Sequence, residues 1–174
     1  MIRTATVDDV AAIARIHVQS WQETYAEMLY PHIVAEQTIE TRLQLWSQVL
    51  QLKNHIILLY EDAGQVQGFI DVSLNEEKGI AKIMALYVLK AVQKQGVGKA
   101  LFEQALQDIH PLQYPQILLN VYDQNPACQF YEYMGGKCIA VEDASEEGEN
   151  LKVLHYLWER DAFHQVNTLS LFTS

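Results

Sequence analysis

The apolar stretch Ala85-Leu-Tyr-Val-Leu89 runs into Gln93-Lys94-Gln95-Gly96-Val97-Gly98 and then into the amphipathic pattern that begins Lys99-Ala100-Leu101. A strand feeding a glycine-punctuated turn and then a helix is how a chain builds a phosphate cradle. Gly96 and Gly98 lack the Cβ atoms that would hold a ligand off the backbone. The helix beside them turns unpaired N–H groups and its positive dipole end toward whatever binds. The turn therefore predicts an anionic ligand, although a Gly-x-Gly pair alone also serves tight turns and close packing. A second group with chemical potential lies at Asn125-Pro-Ala127 and Tyr131. Asn125 is a good helix cap, and spacing alone reads Tyr131 as a core aromatic beside Phe130 or Met134.

These residues need elements to position them. Ile2 to Ala5 reads as a short strand, and Thr6 with Asp9 forms a capping-box signature for a helix starting near Val7 and carrying Ile13, Ile16, His17 and Trp21. Ile39, Leu43, Trp46, Val49 and Leu50 place one long helix over about 33–52. His55 to Glu61 and Val66 to Leu74 read as a hairpin across Asp62-Ala-Gly-Gln65, and Gly79 to Leu89 as the next strand. A helix from Val97 to His110-Pro111, a buried strand over Ile117 to Tyr122, and a Pro-initiated helix closed by Gly135-Gly136 follow. Lys137 to Val141 and Leu151 to Trp158 form a last hairpin around the acidic loop Glu142 to Asn150. The order predicts an α/β domain with a mixed, mostly antiparallel sheet of about seven strands and about four helices, in which Gly79 to Tyr122 is a β-α-β unit.

Composition bounds the function classes. With 174 residues, 49% hydrophobic and 20% charged, the chain suits a single domain spanning 1–174, with its core over about 1–159 and a tail from 160. It opens as Met1-Ile-Arg-Thr-Ala without an apolar signal stretch, and its longest apolar run, Ile56 to Tyr60, is too short to span a bilayer. A soluble cytoplasmic protein with no membrane partner is the expectation. Cys128 and Cys138 lack the paired spacing of a zinc site, so no metal is expected. The formal net charge of -10 argues against a nucleic-acid surface and is compatible with a cationic substrate. A dinucleotide-binding fold fits poorly, because its glycine fingerprint belongs after the first strand rather than at mid-chain.

In two motifs, and in their order, the chain resembles the GNAT superfamily of acetyl-CoA-dependent N-acetyltransferases. Leu86-Tyr-Val88 with Gln93-x-x-Gly96-x-Gly98-Lys-Ala-Leu is similar to the family's pyrophosphate loop, and Asn125-Pro-Ala-x-x-Phe130-Tyr131-Glu-x-x-Gly135 to its second CoA-contacting helix. The likeness extends over most of 1–159, through Ser20-Trp21 and Thr24-Tyr25 to Tyr156-x-Trp158. It implies acetyl-CoA as acetyl donor and a sheet splayed between its fourth and fifth strands, where the pantetheine arm inserts. It further implies cofactor contacts from Leu86, Tyr87, Val88, Gln93, Lys94, Gln95, Gly96, Val97, Gly98, Lys99, Ala100 and Asn125. The N–H groups of Gln95 to Ala100 would meet the pyrophosphate, Lys99 would add a cation, and the backbone of Leu86 to Val88 would meet pantetheine and the thioester oxygen. Tyr131 becomes the acid that protonates the leaving thiolate.

Acetyl transfer to an amine also needs a group to take the amine's proton. Many members of the family use a glutamate on the fourth strand, where this chain has no acid between Gly79 and Leu89 and places Lys82 instead. Asp71, Glu23, Glu27 and His32 are the candidates, beside a water chain. The acceptor pocket is expected from the Trp21 to His32 region, the Asn75 to Lys78 turn and the Glu142 to Asn150 loop. Trp21, Tyr25 and Tyr30 would either surround a cationic amine or form an apolar lid. The acceptor would be a small-molecule or peptide amine. A module that binds acyl-CoA without turning it over is the alternative. Phe163, Val166, Leu169, Leu171 and Phe172 in the tail would pack on the domain or on a second copy in a homodimer.

Overall fold

A sheet of seven strands in the order β1-β2-β3-β4-β5-β7-β6 organises the computed structural model, which describes residues 1–160. The chain runs β1 (Ile2–Thr4), α1 (Val10–Tyr25), α2 (Pro31–Ala35), α3 (Ile39–Val49), β2 (His55–Asp62), β3 (Gln65–Asn75), β4 (Ile80–Val88), α4 (Val97–Ile109), β5 (Gln116–Tyr122), α5 (Ala127–Tyr133), β6 (Lys137–Asp143) and β7 (Lys152–Glu159). The apolar tail residues from Phe163 onward lie outside the described residues. No helix among the described residues is long and apolar enough to cross a membrane.

Five α-helices stand among the described residues, where about four were expected. The segment over 33–52 divides because Thr38 adopts an extended backbone and its hydroxyl accepts from the Thr41 N–H at 3.2 Å, capping a new helix. The Thr6–Asp9 capping box is present, with its first turn wound as a 3-10 helix over Val7–Asp9. Arg3 then holds Asp9 through Nη1 and Nη2 at 2.9 and 2.8 Å, locking β1 to the start of α1. The β2–β3 hairpin turns through Ala63 and Gly64, both at positive φ, the geometry that matches the right-handed twist of its strands.

Helices cover both faces of the sheet. Alternation along β2 sends Ile57 and Leu59 to α1 and α3, where they meet Ile13, Ile16, Trp46 and Phe69. Leu58, with Ile70 and Val72 of β3, packs instead under Leu101, Phe102 and Ile109 of α4. Burial of these two apolar layers, about 25 cal/mol per Å² of apolar surface, is the main force holding the helices to the sheet.

All neighbouring strands are antiparallel except β4 and β5, the parallel pair of the expected β-α-β unit. That pair is short, running only from Ile80 opposite Gln116 to Ile83 opposite Leu119. Beyond it β4 continues beside β3 as far as Val88 opposite Gly68, whereas β5 continues beside β7 as far as Tyr122 opposite Val153. A bulge at Met84, where Asp71 and Val72 of β3 face Ala85 and Ile83, turns the strand at the point of parting. The sheet therefore opens in a V between its fourth and fifth strands.

Candidate active site

The V is a cleft of about 700 Å³. Met84 to Val88 form one wall, Leu119 to Val121 the other, the start of α4 and the loop before it one end, and the C-terminal turns of α1 the other end. Because β4 has no strand partner on this side beyond Ile83, its main-chain groups there are open to an extended ligand. Ten of the thirteen residues read from the sequence line the cleft: Leu86, Tyr87, Val88, Gln93, Lys94, Gly96, Gly98, Lys99, Asn125 and Tyr131. Gln95, Val97 and Ala100 do not.

The loop before α4 has the backbone of an anion nest. Lys94 and Gly96 both hold positive φ, 61° and 83°, so successive N–H groups point the same way. A non-glycine residue held in that region stores strain, which the surrounding loop must impose. Within the described residues no backbone carbonyl accepts from the N–H groups of Gln95 to Lys99, whereas the Ala100 N–H donates to Gly96 O at 2.9 Å. The open donors thus stop at Lys99, one short of the sequence reading. Val97 offers only its N–H, since its side chain is in the α4 core. Gln93 and Gln95 hold the loop: Gln93 Nε2 donates to Val88 O at 2.9 Å and Gln95 Nε2 to Ala91 O at 3.2 Å.

Two features fit an acyl-CoA at this end. A Cβ built on Gly98 would meet only Val88 Cγ2, at 3.8 Å, so the fold itself does not demand glycine there and the space faces the cleft. Lys90, Lys94 and Lys99 line the same end, a local concentration of cations in a chain of net charge -10. Coenzyme A would then lie with its phosphates on this end and its pantetheine along the open edge of β4.

At the junction of the walls, Asn125 does two structural jobs. Its Oδ1 accepts from the Ala127 N–H at 2.8 Å, capping α5, and its Nδ2 donates to Tyr25 Oη at 2.8 Å, tying α5 to α1. Tyr131 is 6% exposed and packs against Phe130, Tyr156 and Trp158, so it is a core aromatic as spacing suggests. Tyr131 nonetheless lines the cleft, and its hydroxyl bonds to no described residue. Burial, with smaller contributions from Tyr25 and Cys128, raises its pKa above the ordinary phenol value. At neutral pH it holds its proton. Tyr87, stacked on His17 at 4.8 Å between ring centroids, is raised for the same reason.

The candidate bases are dispersed. Asp71 is 3% exposed and lies 2.7 Å from His55 Nδ1, outside the cleft lining. Glu27 and His32 also lie outside it, with His32 stacked on Tyr30. Glu23 is the one carboxylate among the lining residues; Gln19 Nε2 donates to its Oε1 at 3.0 Å.

The acceptor end departs from expectation. The Asn75 to Lys78 turn and the Glu142 to Asn150 loop supply no lining residue. The turn precedes β4, at the closed end of the V, whereas the loop braces α1 from behind. Tyr30 N donates to Glu147 O at 2.8 Å, Tyr122 donates to Glu147 Oε2, and Gly148 packs so close to Met28 O that a Cβ would sit 2.2 Å from it. Trp21 and Tyr25 pack with Leu29, Ala144 and Leu151 as a lid; Tyr25 also reaches the cleft, and Tyr30 is exposed. Thr24, within the expected Trp21 to His32 region, lines the cleft, whereas sequence reasoning missed Ser20, Met84 and Asn120 as lining residues. The signal for Asn120 is its place on the strand parallel to the one that feeds the glycine turn.

Residues 15–158 match the family model described as "Acetyltransferase (GNAT) domain". The chain is 26% identical over 160 residues to the uncharacterized N-acetyltransferase YuaI of Bacillus subtilis (strain 168), covering 90% of this chain and 91% of that one. The PaiA N-acetyltransferase of Thermoplasma acidophilum, crystallised with coenzyme A, has the same fold, with a TM-score of 0.72 at 17% identity over 91% of this chain and 98% of its own. YncA of Salmonella typhimurium, solved with its cofactor acetyl-CoA, likewise gives 0.72 at 20% identity over 92% and 94%.

Proposed function

The chain belongs to the GNAT acetyltransferase family, and from that premise we propose that it moves the acetyl group of acetyl-CoA to a primary amine by direct attack in a ternary complex. The observation that carries the reading is the open edge of β4 leading straight into the unpaired N–H groups of Gln95 to Lys99. Acetyl-CoA supplies an activated carbonyl, and the protein has to hold it, admit the amine from the opposite end and move two protons.

Glu23 attracts the ammonium at the α1 end and takes its proton, directly or through a water, so that a neutral amine attacks. The N–H groups of the β4 bulge region, which lines the cleft, would serve as donors for the carbonyl oxygen. Tyr131 Oη holds the proton that the departing sulfur takes. A high phenol pKa does not disqualify it, since the same burial raises thiols: the Cys128 thiol nearby is pushed up to about 11. The balance is one C–N bond formed and one C–S bond broken; nitrogen loses two protons, one to Glu23 before attack and one from the tetrahedral adduct, sulfur gains one from Tyr131, and after Tyr131 is reprotonated one proton is released to solvent. The single domain over 1–174 is part of the same proposal.

Steady-state release of free CoA over a panel of primary amines tests this. Sustained amine-dependent release is expected, with kcat/KM roughly a hundredfold lower in Glu23→Gln. Tight acetyl-CoA binding with no amine-dependent release would instead describe a module that holds acyl-CoA without turning it over.

A further inference from the structure

β5 breaks its own pattern at Asn120. Ile117, Leu119 and Val121 are buried under α4, and on the other face Leu118 and Tyr122 are half-buried, yet Asn120 between them is exposed. β5 is an interior strand, between β4 and β7, where asparagine is disfavoured because its amide competes for nearby main-chain groups. Elsewhere the fold spends such amides on turns and caps: Asn54 Nδ2 donates to Leu74 O at 3.3 Å, Asn75 Oδ1 accepts from the Lys78 N–H at 3.0 Å, and Asn125 caps α5. The Asn120 amide bonds to no described residue. A residue that breaks a local rule with no gain to the fold marks a functional position.

Asn120 lines the cleft, and its place there narrows the role. The last rung between β4 and β5 joins Ile83 to Leu119, so Asn120 is the first residue of β5 past the parting. Met84, the extra residue of the β4 bulge, is the first past it on β4; it is 53% exposed and lines the opposite wall. Alternation puts Leu119 and Val121 on the α4 face of the sheet and sends the Asn120 side chain to the face that α1 covers. Glu23 and Thr24, in the last turns of α1, line the cleft from that side. The free amide therefore stands at the apex of the V, on the side from which Glu23 meets it.

We propose that Asn120 Oδ1 accepts an N–H of the acceptor nitrogen, and that Asn120 and Glu23 together aim that nitrogen at the acetyl carbon; the inference rests on the acetyl-transfer reading. An ammonium brings three donors and no acceptor. Once Glu23 has taken one proton, two N–H bonds and one lone pair remain. The lone pair reaches the carbonyl carbon only while the N–H bonds are held in other directions, and each N–H follows the acceptor that it meets. An amide oxygen is such an acceptor and, unlike a carboxylate, does not take the proton itself, so it holds the nitrogen without competing with Glu23. No bond is made or broken at Asn120.

Wild type, Asn120→Leu and Asn120→Asp in the full chain are compared for CoA release with n-butylamine, phenethylamine and the L-amino-acid amides. The amine turned over fastest is then bound calorimetrically to each desulfo-CoA complex. Asn120→Leu removes the accepting oxygen, so the affinity for the amine and its kcat/KM should each fall about ten- to a hundredfold. Affinity for desulfo-CoA, KM for acetyl-CoA and the thermal midpoint should not fall with them. Asn120→Asp keeps an accepting oxygen and removes only the donors, so amine binding and kcat/KM stay close to wild type or rise. Unchanged amine binding and kinetics in Asn120→Leu, an Asn120→Asp as poor as Asn120→Leu, or a loss in Asn120→Leu that extends to desulfo-CoA and the thermal midpoint would each overturn the proposal while leaving acetyl transfer standing. Absence of amine-dependent release in wild type overturns acetyl transfer, and this inference with it.

Discussion

Single side chains at this site are set by desolvation. Tyr131 keeps its proton because it is buried, its ring enclosed by Phe130, Tyr156 and Trp158 at the lining of the cleft. Tyr131→Phe retains the ring and its packing, so kcat should fall about a hundredfold while coenzyme A affinity and thermal midpoint stay within error. His17 is the same effect with opposite charge sign. Burial, helped by Arg42, pushes its pKa down to about 3, and it accepts from Trp46 as the neutral ring. In the unfolded chain it would titrate near 6.5. Between those values the unfolded state binds a proton that the folded state refuses, so stability is lost as pH falls from about 6.5 toward 3. Asp9, held near 2 by the Arg3 hydrogen bond, removes further stability as pH falls from about 3.8 to 2. Urea midpoints measured against pH should decline across the first window in wild type and flatten there in His17→Gln.

Among the elements, the turn into α4 separates conformation from binding. Gly96 has φ 83° with nothing within 4 Å of a built Cβ, so its requirement is the backbone angle. Gly98 has no such angle, and on the proposed reading its requirement is the ligand. Gly96→Ala should therefore cost about 1–2 kcal/mol of stability. Gly98→Ala should leave stability unchanged, or raise it by up to about 1 kcal/mol through helix propensity, while weakening coenzyme A roughly tenfold or more. Urea denaturation and calorimetry on the two variants read the two effects independently. Most element boundaries were legible from pattern, including the Asp62–Gln65 turn and the β-α-β unit. The division of the segment over 33–52 was not recognised, although Thr38 and Thr41 carry the signal. Polar residues at the break sit on a surface, where apolar periodicity continues across it without penalty.

For the whole molecule, function depends on two halves of a sheet that part after four residue pairs of β4 and β5. A ligand bridging Met84–Val88 and the α4 turn acts only on the folded chain, so it stabilises by mass action. At a hundredfold excess over Kd, coenzyme A should add about 2.7 kcal/mol, which for a chain of this size raises Tm by roughly 5–10 °C. Thermal melts with coenzyme A against desulfo-CoA and adenosine would check this, and no shift with any of them would remove the cofactor reading. The sequence by itself determined the fold class, the order of elements along the chain and which residues are proposed to meet the cofactor. Strand alternation, glycine placement and helix caps are local, and Gly96, Gly98, Asn125 and Tyr131 declare themselves within a few neighbours. Only the tertiary structure decided the acceptor end. Ser20, Glu23 and Thr24 of α1 share the lining of the V with Asn120 of β5, about a hundred residues further along, so no spacing along the chain marks them as a group. The physical reason is that a cleft's lining is defined by which side chains meet across it, and that is fixed only when α1 and the two halves of the sheet have packed.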